Sequence, residues 1–261
     1  MNHDLALLFD WLCANRLSLN VLKTEFILFK TTHMALNHRF TLKLNGKTIF
    51  ASKKVKYLGL IVDENLTWGH HIFELRKKLN RANGILSRLR YSNCPASVLL
   101  CVFHSLFMYH ATYGICAWGS AKKDLLDVIY LAQKRAMRTI TKSKSNAPTS
   151  QLFKDLKILK IKDLYTMQLA SIMFDFDKGL LPSYFNNYFT RKKDSHHYAT
   201  RSVSSDHFNE QSFLTSRYGR CMLKVEGAKI ANKVKNLDFY DKCTNQRLFR
   251  KKFKLHLCDT Y

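Results

Sequence analysis

The sequence predicts an α+β protein that is mainly helical, with a small sheet and one packed helix, then a helical bundle and a basic C-terminal extension. Three observations support this class. Residues 1–66 contain β-rich runs and a strong hairpin signal. After Trp68 the apolar residues recur at helical spacing. Beyond residue 190 the chain is basic and has no clear period, so its structure is harder to predict.

The first element is a predicted amphipathic helix of about three turns. It starts near Asp4 and ends where residues 15–20 supply polar stop signals. Its apolar positions follow helical spacing and are Leu5, Leu8, Phe9 and Leu12.

Three β-rich segments follow this helix. They are "TEFILF" at 24–29, "FTLKLNGKTIF" at 40–50 and "KVKYLGLIVD" at 54–63. In the second, alternating apolar residues flank Asn45-Gly46, which is the strongest short-range signal for a β-hairpin. The third predicts one further strand, in which Gly59 allows close approach of another backbone. We therefore expect a helix packed on a small sheet in the first seventy residues.

A long basic helix is predicted after Trp68, with Thr67 as its N-cap. Apolar residues fall on one side of this helix, whereas Lys77, Arg81 and Arg88 fall nearly opposite and are the candidate nucleic-acid-binding residues. A charged helical face can equally be a solvated face without a ligand. The apolar positions are Ile72, Leu75, Leu79, Ala82, Leu86 and Leu89.

Residues 98–118, "VLLCVFHSLFMYHATYGICAW", are long and uncharged enough to raise the question of a membrane span. His104, His110 and Gly114 favour the core of a helical bundle instead. Ser120 is the expected N-cap of the next helix, which carries "QKRAMR" at 133–138 in its C-terminal half. Three consecutive helices predict a small bundle.

The segment "KSKSNAPTS" at 142–150 is the best linker candidate, because it is polar and contains Pro148. Beyond it we expect helices near 150–159 and 162–177. The segment "RLFRKKFKLHL" at 247–257 fits either a basic amphipathic helix or a loosely held tail. As a helix, it would oppose its basic residues to Leu248, Phe249, Phe253 and Leu257.

The charge of the chain indicates a polyanionic partner. Lys and Arg number 43 against 19 Asp and Glu, a formal net charge of +24, and such an excess repels itself unless a polyanion neutralises it. Nucleic acid is the first candidate partner, an anionic membrane is the second, and a basic protein without such a partner is the third. Nothing indicates a small-molecule substrate.

The cysteine and histidine patterns predict no metal site. The seven cysteines form no C-x-x-C pair, which favours reduced thiols in an intracellular compartment, nuclear or cytoplasmic. The His70-His71 and His196-His197 pairs have no partner pair at zinc spacing. The N-terminus lacks the features of a signal peptide. No catalytic constellation is found, and Asp63-Glu64 fits turn chemistry between a strand and a helix.

Four segments in order resemble reverse transcriptases of non-LTR retrotransposons of the LINE or jockey type. They are "WLCANRLSLNVLKTEFILF" at 11–29, "KYLGLIVDENLTWGHHI" at 56–72, "SLFMYHATYGICAWGSA" at 105–121 and "LAQKRAMRTIT" at 131–141. The first two are similar to the end of the palm subdomain in that family, and the last two to the thumb helices. The later "LPSYF" and "TRS" stretches are compatible with its C-terminal region.

The resemblance implies roles for several residues. It places Lys23 near the phosphates of the incoming nucleotide, where a cation offsets charge on the leaving pyrophosphate. It makes Tyr57, Leu58 and Gly59 part of a strand pair that supports the primer end. It lays the basic helix that follows along the template–primer duplex. The implied divisions are palm end at 1–66, thumb at 67–145 and basic extension at 146–261.

The sequence also departs from that family. The Mg²⁺-binding aspartates of the family lie upstream of the resembling region, and this chain contains no Asp-Asp pair. Ala231 stands where the family commonly has an aromatic residue. We therefore expect a C-terminal fragment with no catalytic residue or metal site of its own, which retains template–primer binding and is inactive alone. A functionless relic and a membrane-associated basic protein are the alternatives.

Overall fold

The computed structural model describes residues 1–34, 40–195, 206–211 and 222–261. The predicted class is confirmed at the level of a mainly helical chain with small sheets. The chain divides into two compact units, Met1–Glu74 and Leu75–Tyr261. The "TRS" stretch and the His196-His197 pair lie outside the described residues.

The first unit begins with the predicted helix, α1 (Asn2–Ala14), which packs on a three-stranded sheet. The strands are β1 (Glu25–Phe26), β2 (Leu42–Leu44) and β3 (Lys47–Ala51), in the order β1-β3-β2. β3 pairs antiparallel with β2 and parallel with β1. Leu5 and Phe9 of α1 pack against the buried side chains of Leu42, Leu44 and Ile49, which form the core of this unit.

The hairpin at Asn45-Gly46 is confirmed, because both residues have positive φ, 49° and 71°. Those angles suit the tight turn that matches the twist of paired strands. "TEFILF" was expected to be a β-rich run, but only two of its residues, those of β1, pair in the sheet.

The prediction of one strand at 54–63 is wrong. The segment forms two antiparallel strands, β4 (Lys54–Tyr57) and β5 (Leu60–Asp63), in a second sheet. Leu58 and Gly59 have φ of 45° and 83° and make the turn between them. Gly59 therefore occupies the turn that reverses the chain, because glycine accepts positive φ without steric cost.

Asp63 fixes the path from β5 into the long helix α2 (Gly69–Tyr91). Its buried carboxylate accepts hydrogen bonds from the backbone N–H groups of Asn65 (3.2 Å), Thr67 (3.0 Å) and Trp68 (2.9 Å). The turn chemistry predicted for Asp63 is thus confirmed. Trp68, not Thr67, directly precedes α2, although the Thr67 hydroxyl accepts a 3.3 Å bond from the Gly69 N–H.

The apolar segment predicted at 98–118 is not one continuous helix. It contains α3 (Ala96–Val102), a π-helical turn (Phe103–Met108), α4 (Tyr109–Thr112) and α5 (Ile115–Trp118). Phe103, Phe107 and Trp118 are fully buried, so the segment supplies protein core. Among the described residues, no helix combines the length and apolarity that a membrane span needs.

Three further helices complete the middle of the second unit: α6 (Lys123–Ile140), α7 (Ser150–Asp155) and α8 (Ile161–Asp177). The expected cap at Ser120 is wrong, because α6 starts at Lys123 and the Lys122 carbonyl accepts its first backbone bonds. α6 and α8 are joined by Gln133, which is fully buried. Its amide donates to the Leu159 carbonyl (2.8 Å) and accepts from the Ile161 N–H (3.2 Å).

The C-terminal region contains α9 (Lys192–Ser195), α10 (Leu223–Lys235) and α11 (Gln246–Asp259). The structure decides between the two alternatives for 247–257 in favour of a packed helix. The rings of Phe249 and Phe174 stack with centroids 4.6 Å apart, and Phe253 is also buried. Ala231 is 2% exposed and contacts a core cluster that contains Met173 and Phe208, so this position has no room for an aromatic ring.

A partly buried ion-pair network joins the ends of α8 and α10. Asp177 contacts Lys235 (2.8 Å) and Arg191 (3.0 Å) and accepts a hydrogen bond from Tyr240 (3.0 Å). Burial alone would favour the protonated carboxyl, but the hydrogen bond and charge of Lys235 and the charge of Arg191 outweigh burial and lower the pKa of Asp177. Lys235 and Arg191 also pair with Asp206.

Asp177→Asn should lower the free energy of unfolding by about 3 kcal/mol at neutral pH, because it leaves a buried lysine short of a countercharge. Since the folded pKa of Asp177 is lowered, its stabilisation exists above the unfolded carboxyl pKa and is lost as the pH falls through the folded value. The difference between variant and wild type should therefore shrink in acid. Denaturant unfolding at neutral and acid pH measures this, with the exposed Asp238→Asn as control. Equal stability of both variants at neutral pH would refute the role of the network.

Two glycines offer a matched test of packing. A methyl group at Gly119 would lie 2.5 Å from the Ile115 carbonyl oxygen and meet the ring of Tyr165, whereas one at Gly84 meets nothing within 4 Å. Gly119→Ala should destabilise the protein by about 2 kcal/mol through overpacking. Gly84→Ala, inside α2, should stabilise it by about 0.5–1 kcal/mol. Thermal unfolding of both variants checks the opposite signs.

Candidate polyanion-binding groove

The first candidate residue, Lys23, lies on an exposed turn of the first unit. Lys23 ends a single 3₁₀ turn, Val21–Lys23, and its side chain is exposed. The Asn20 side chain caps this turn by accepting a hydrogen bond from the Lys23 N–H at 3.2 Å. The backbone at Lys23 is therefore fixed by its own sequence, while the side chain extends into solvent.

Tyr57, Leu58 and Gly59 form the tip of the β4–β5 hairpin. Tyr57 is the last residue of β4, and Leu58-Gly59 is the turn. The Tyr57 and Leu58 residues are 65% and 71% exposed. Apolar side chains that are this exposed contribute little to the core.

Lys77, Arg81 and Arg88 share the outer face of α2, as the sequence predicts. Their spacing of 4 and 7 residues puts them along one stripe, and all three side chains are exposed. The buried residues of the helix lie on the opposite side.

A basic groove lies on the neighbouring face of α2, and none of these three residues lines it. The groove has a volume of about 740 Å³ and runs between α2, α6 and the segment that follows α6. The described residues that line it are almost all polar or cationic and include no Asp or Glu: Asn80, Asn83, Gly84, Ser87, Arg90, Tyr91, Arg135, Arg138, Thr139, Ser143, Lys144 and Ser145. We name it the α2–α6 groove.

Backbone carbonyls hold two arginines of the α2–α6 groove in place. An Arg90 guanidinium N–H donates to the Arg138 carbonyl (3.4 Å), and the Arg138 Nε donates to the Ala147 carbonyl (2.9 Å). The first acceptor lies at the C-terminal end of α6, where the helix dipole favours a cation. A guanidinium carries five N–H donors, so one such bond leaves others to bind an anion.

The two walls of the groove are joined to each other. The Asn83 side-chain amide donates to the Ala132 carbonyl of α6 at 2.9 Å. Behind α6, Gln133 bonds to the backbone before and at the start of α8. Three of the four cations, Arg90, Arg135 and Arg138, therefore lie on helices that are hydrogen-bonded to each other, which lowers the entropy cost of binding an extended anion.

The arrangement suits the binding of anions. Fixed arginines recognise phosphate through paired N–H donors, and a groove without carboxylates raises the local concentration of anions. Across the described ranges, no three His, Cys, Asp or Glu side chains come together as a potential metal site.

The sequence indicated part of this groove. Arg135 and Arg138 belong to the basic "QKRAMR" segment that was assigned to the C-terminal half of a helix. Arg90 was missed because it lies near the apolar side of α2. Its side chain lines the groove and bonds to α6, and the sequence does not show this contact. Lys144 was missed because it follows α6 in a predicted linker, whose path no periodicity describes.

Curated relatives support the resemblance found in the sequence. The chain is 27% identical over 193 residues to the Drosophila melanogaster protein named "Probable RNA-directed DNA polymerase from transposon BS". It is 26% and 29% identical to RNA-directed DNA polymerases from the mobile element jockey of Drosophila melanogaster and Drosophila funebris, over 125 and 127 residues. No protein-family model and no solved structure matches the chain.

These alignments define a class by similarity, that of RNA-directed DNA polymerases from Drosophila mobile elements. They cover 61% of this chain with the BS protein and 46% with each jockey protein. The aligned part is only 20% of the BS protein and 13% of each jockey protein. The aligned part of this chain is therefore similar to a small part of such polymerases, and the resemblance predicted from its motifs is confirmed.

Proposed function

We propose that this chain is a C-terminal part of a non-LTR retrotransposon reverse transcriptase that binds the backbone of an RNA–DNA template–primer duplex. The observation that carries this proposal is the α2–α6 groove, with four cationic side chains and no carboxylate among its lining residues. Duplex phosphates are regularly spaced anions, and their neutralisation by Lys and Arg releases condensed counterions.

The proposal assigns the first unit to the end of the palm and the helices from α2 onward to the thumb and a basic extension. The exposed tip of the β4–β5 hairpin, at Tyr57, Leu58 and Gly59, would contact the primer end. Lys23, exposed on its capped turn, would lie near the phosphates of the incoming nucleotide. The outer face of α2 would track duplex phosphates through Lys77, Arg81 and Arg88.

The proposed role is binding and positioning, not catalysis by this chain alone. Two-metal phosphoryl transfer needs paired carboxylates that hold Mg²⁺, and the sequence contains no Asp-Asp pair. In this proposal the Mg²⁺ ligands belong to the part of the polymerase that the aligned relatives have beyond this chain. Positioning residues without those ligands stabilise no transition state.

Arg135→Gln with Lys144→Gln should weaken binding to an RNA–DNA hybrid duplex about tenfold or more near physiological salt. The plot of log K against log salt should also become shallower by about 1.8, because two phosphate contacts are lost. Both side chains are exposed, so folding is unaffected. Fluorescence anisotropy across a salt series measures both quantities.

Lys123→Gln with Lys154→Gln is the matched control. It removes the same charge from exposed positions outside the α2–α6 groove and should leave the salt slope close to that of the wild type. Equal slopes for all three proteins, or no duplex binding by the wild type at low salt, would contradict the proposal.

The outer face of α2 is tested separately by Lys77→Gln, Arg81→Gln and Arg88→Gln together. If this face tracks the duplex backbone, the salt slope should fall by about 2.7, and the loss should be similar for duplexes of unrelated sequence. If the salt slope of this variant equals that of the wild type, the outer face of α2 does not contact the duplex and binding is limited to the α2–α6 groove. The measurement is the same anisotropy series with two duplex sequences.

A further inference from the structure

A second groove lies in the same unit, beside α11, and its chemistry differs from that of the first. It has a volume of about 440 Å³. One wall is formed by Arg247, Arg250, Lys251 and Lys254 of α11. The rest is mostly apolar side chains, contributed by the π-helical turn, the start of α8 and the residues before it. We name it the α11 groove.

The four cations of the α11 groove form a single stripe. Their positions, i, i+3, i+4 and i+7, fall on one side of a helix and span about 10 Å along its axis. The other side of α11 is held in the core by Phe249 and Phe253. Like charges at this spacing repel one another. In the part of the chain that the structure describes, no Asp or Glu lines the groove to offset them.

One described carboxylate, that of Asp175, interacts electrostatically with Arg250 of the stripe. Asp175 also accepts a hydrogen bond from Gln246. Burial raises the pKa of Asp175. A single carboxylate cannot neutralise four cations.

The floor of the α11 groove is apolar. It contains Ile158, Leu159 and Met167, with Met108 at the side. Met108 and His104 belong to the π-helical turn, in which Phe103 and Phe107 stack in the core with centroids 5.0 Å apart. π-Helical turns occur often at functional sites, because the wider turn redirects the side chains of a helix.

This combination selects one kind of ligand. A sugar–phosphate backbone has no apolar side chains that would pack on an apolar floor. Among the described residues that line the groove, His104 is the only one with a ring, so these residues offer bases no stacking platform. A helix with carboxylates along one edge and apolar residues at i, i+3 and i+4 matches both surfaces at once. Two turns of such a helix match the length of the stripe.

We propose that the α11 groove binds an acidic amphipathic helix of a partner protein. This proposal goes beyond duplex binding, because it assigns a protein partner to the α11 groove. That groove is separate from the α2–α6 groove and from the outer face of α2, which are the helical surfaces proposed to bind the duplex. The charges of the stripe steer the approach of the acidic helix, and burial of that helix's own apolar side chains against the floor supplies affinity.

The test uses the full chain and a labelled synthetic helix of about 14 residues, enough to span the groove, with Glu on one edge and Leu on the adjacent face. Arg247→Glu with Lys251→Glu should raise its Kd about tenfold or more, since like charges replace opposite ones. Lys123→Glu with Lys154→Glu, which changes the same charge elsewhere, should change the Kd by less than about twofold.

A second peptide, in which Ser replaces every Leu, separates charge from burial. It should bind at least about tenfold more weakly than the first, because it covers no apolar floor.

Equal binding of both peptides, or no binding of the first, would overturn the proposal. So would a loss of RNA–DNA duplex binding in the α11 variant with peptide binding intact, which would assign the stripe to nucleic acid. Failure of the α2–α6 groove to bind duplex leaves these peptide results unaffected.

Discussion

The contact between α2 and α6 is the constraint on which the basic groove depends. Residues such as Leu79, Leu86 and Ala136 are fully buried, and each leucine contributes about 2 kcal/mol by burial, against about 1 kcal/mol for a typical hydrogen bond. Burial therefore stabilises these helices, whereas the bonds from Asn83 and Arg90 to α6 fix their register. That register brings Arg90 to the end of α6 beside Arg138. A slip of either helix would separate the two guanidiniums and remove the groove.

The sequence predicted the parts of the structure that depend on local chemistry. Asn45-Gly46 specified its hairpin because few residues accept two successive positive φ angles. The apolar residues of α2 predicted which face of that helix is buried. Phe249 and Phe253 are buried in α11, in agreement with the first of the two alternatives for 247–257, an amphipathic helix. The β4–β5 hairpin was missed because Leu58 adopts positive φ, which is unusual for a leucine and has no signal in an apolar run. The breaks at 103–118 were missed because a helical period alone does not show where turns widen or end.

The candidate site was predictable only in part for a related reason. Lys77, Arg81 and Arg88 stand out because exposed charges follow the period of one helix. The α2–α6 groove requires side chains from α2, α6 and a loop, and their convergence is set by tertiary packing. The α11 groove was also predictable only in part. Its stripe of cations is visible in the sequence, but its apolar floor is formed by residues about ninety positions earlier. The two grooves share positive charge and differ in lining, and that difference favours phosphate in one and an acidic amphipathic helix in the other.

The most direct measurement is site-specific photocrosslinking from the groove itself. A photoreactive residue at Ser145, which is exposed and lines the α2–α6 groove, is compared with one at Asp155, which is exposed on α7. The account predicts that an RNA–DNA duplex crosslinks at position 145, that added salt suppresses the product, and that position 155 gives little. Equal crosslinking at both positions, or none at position 145 under conditions where the duplex binds, would contradict it.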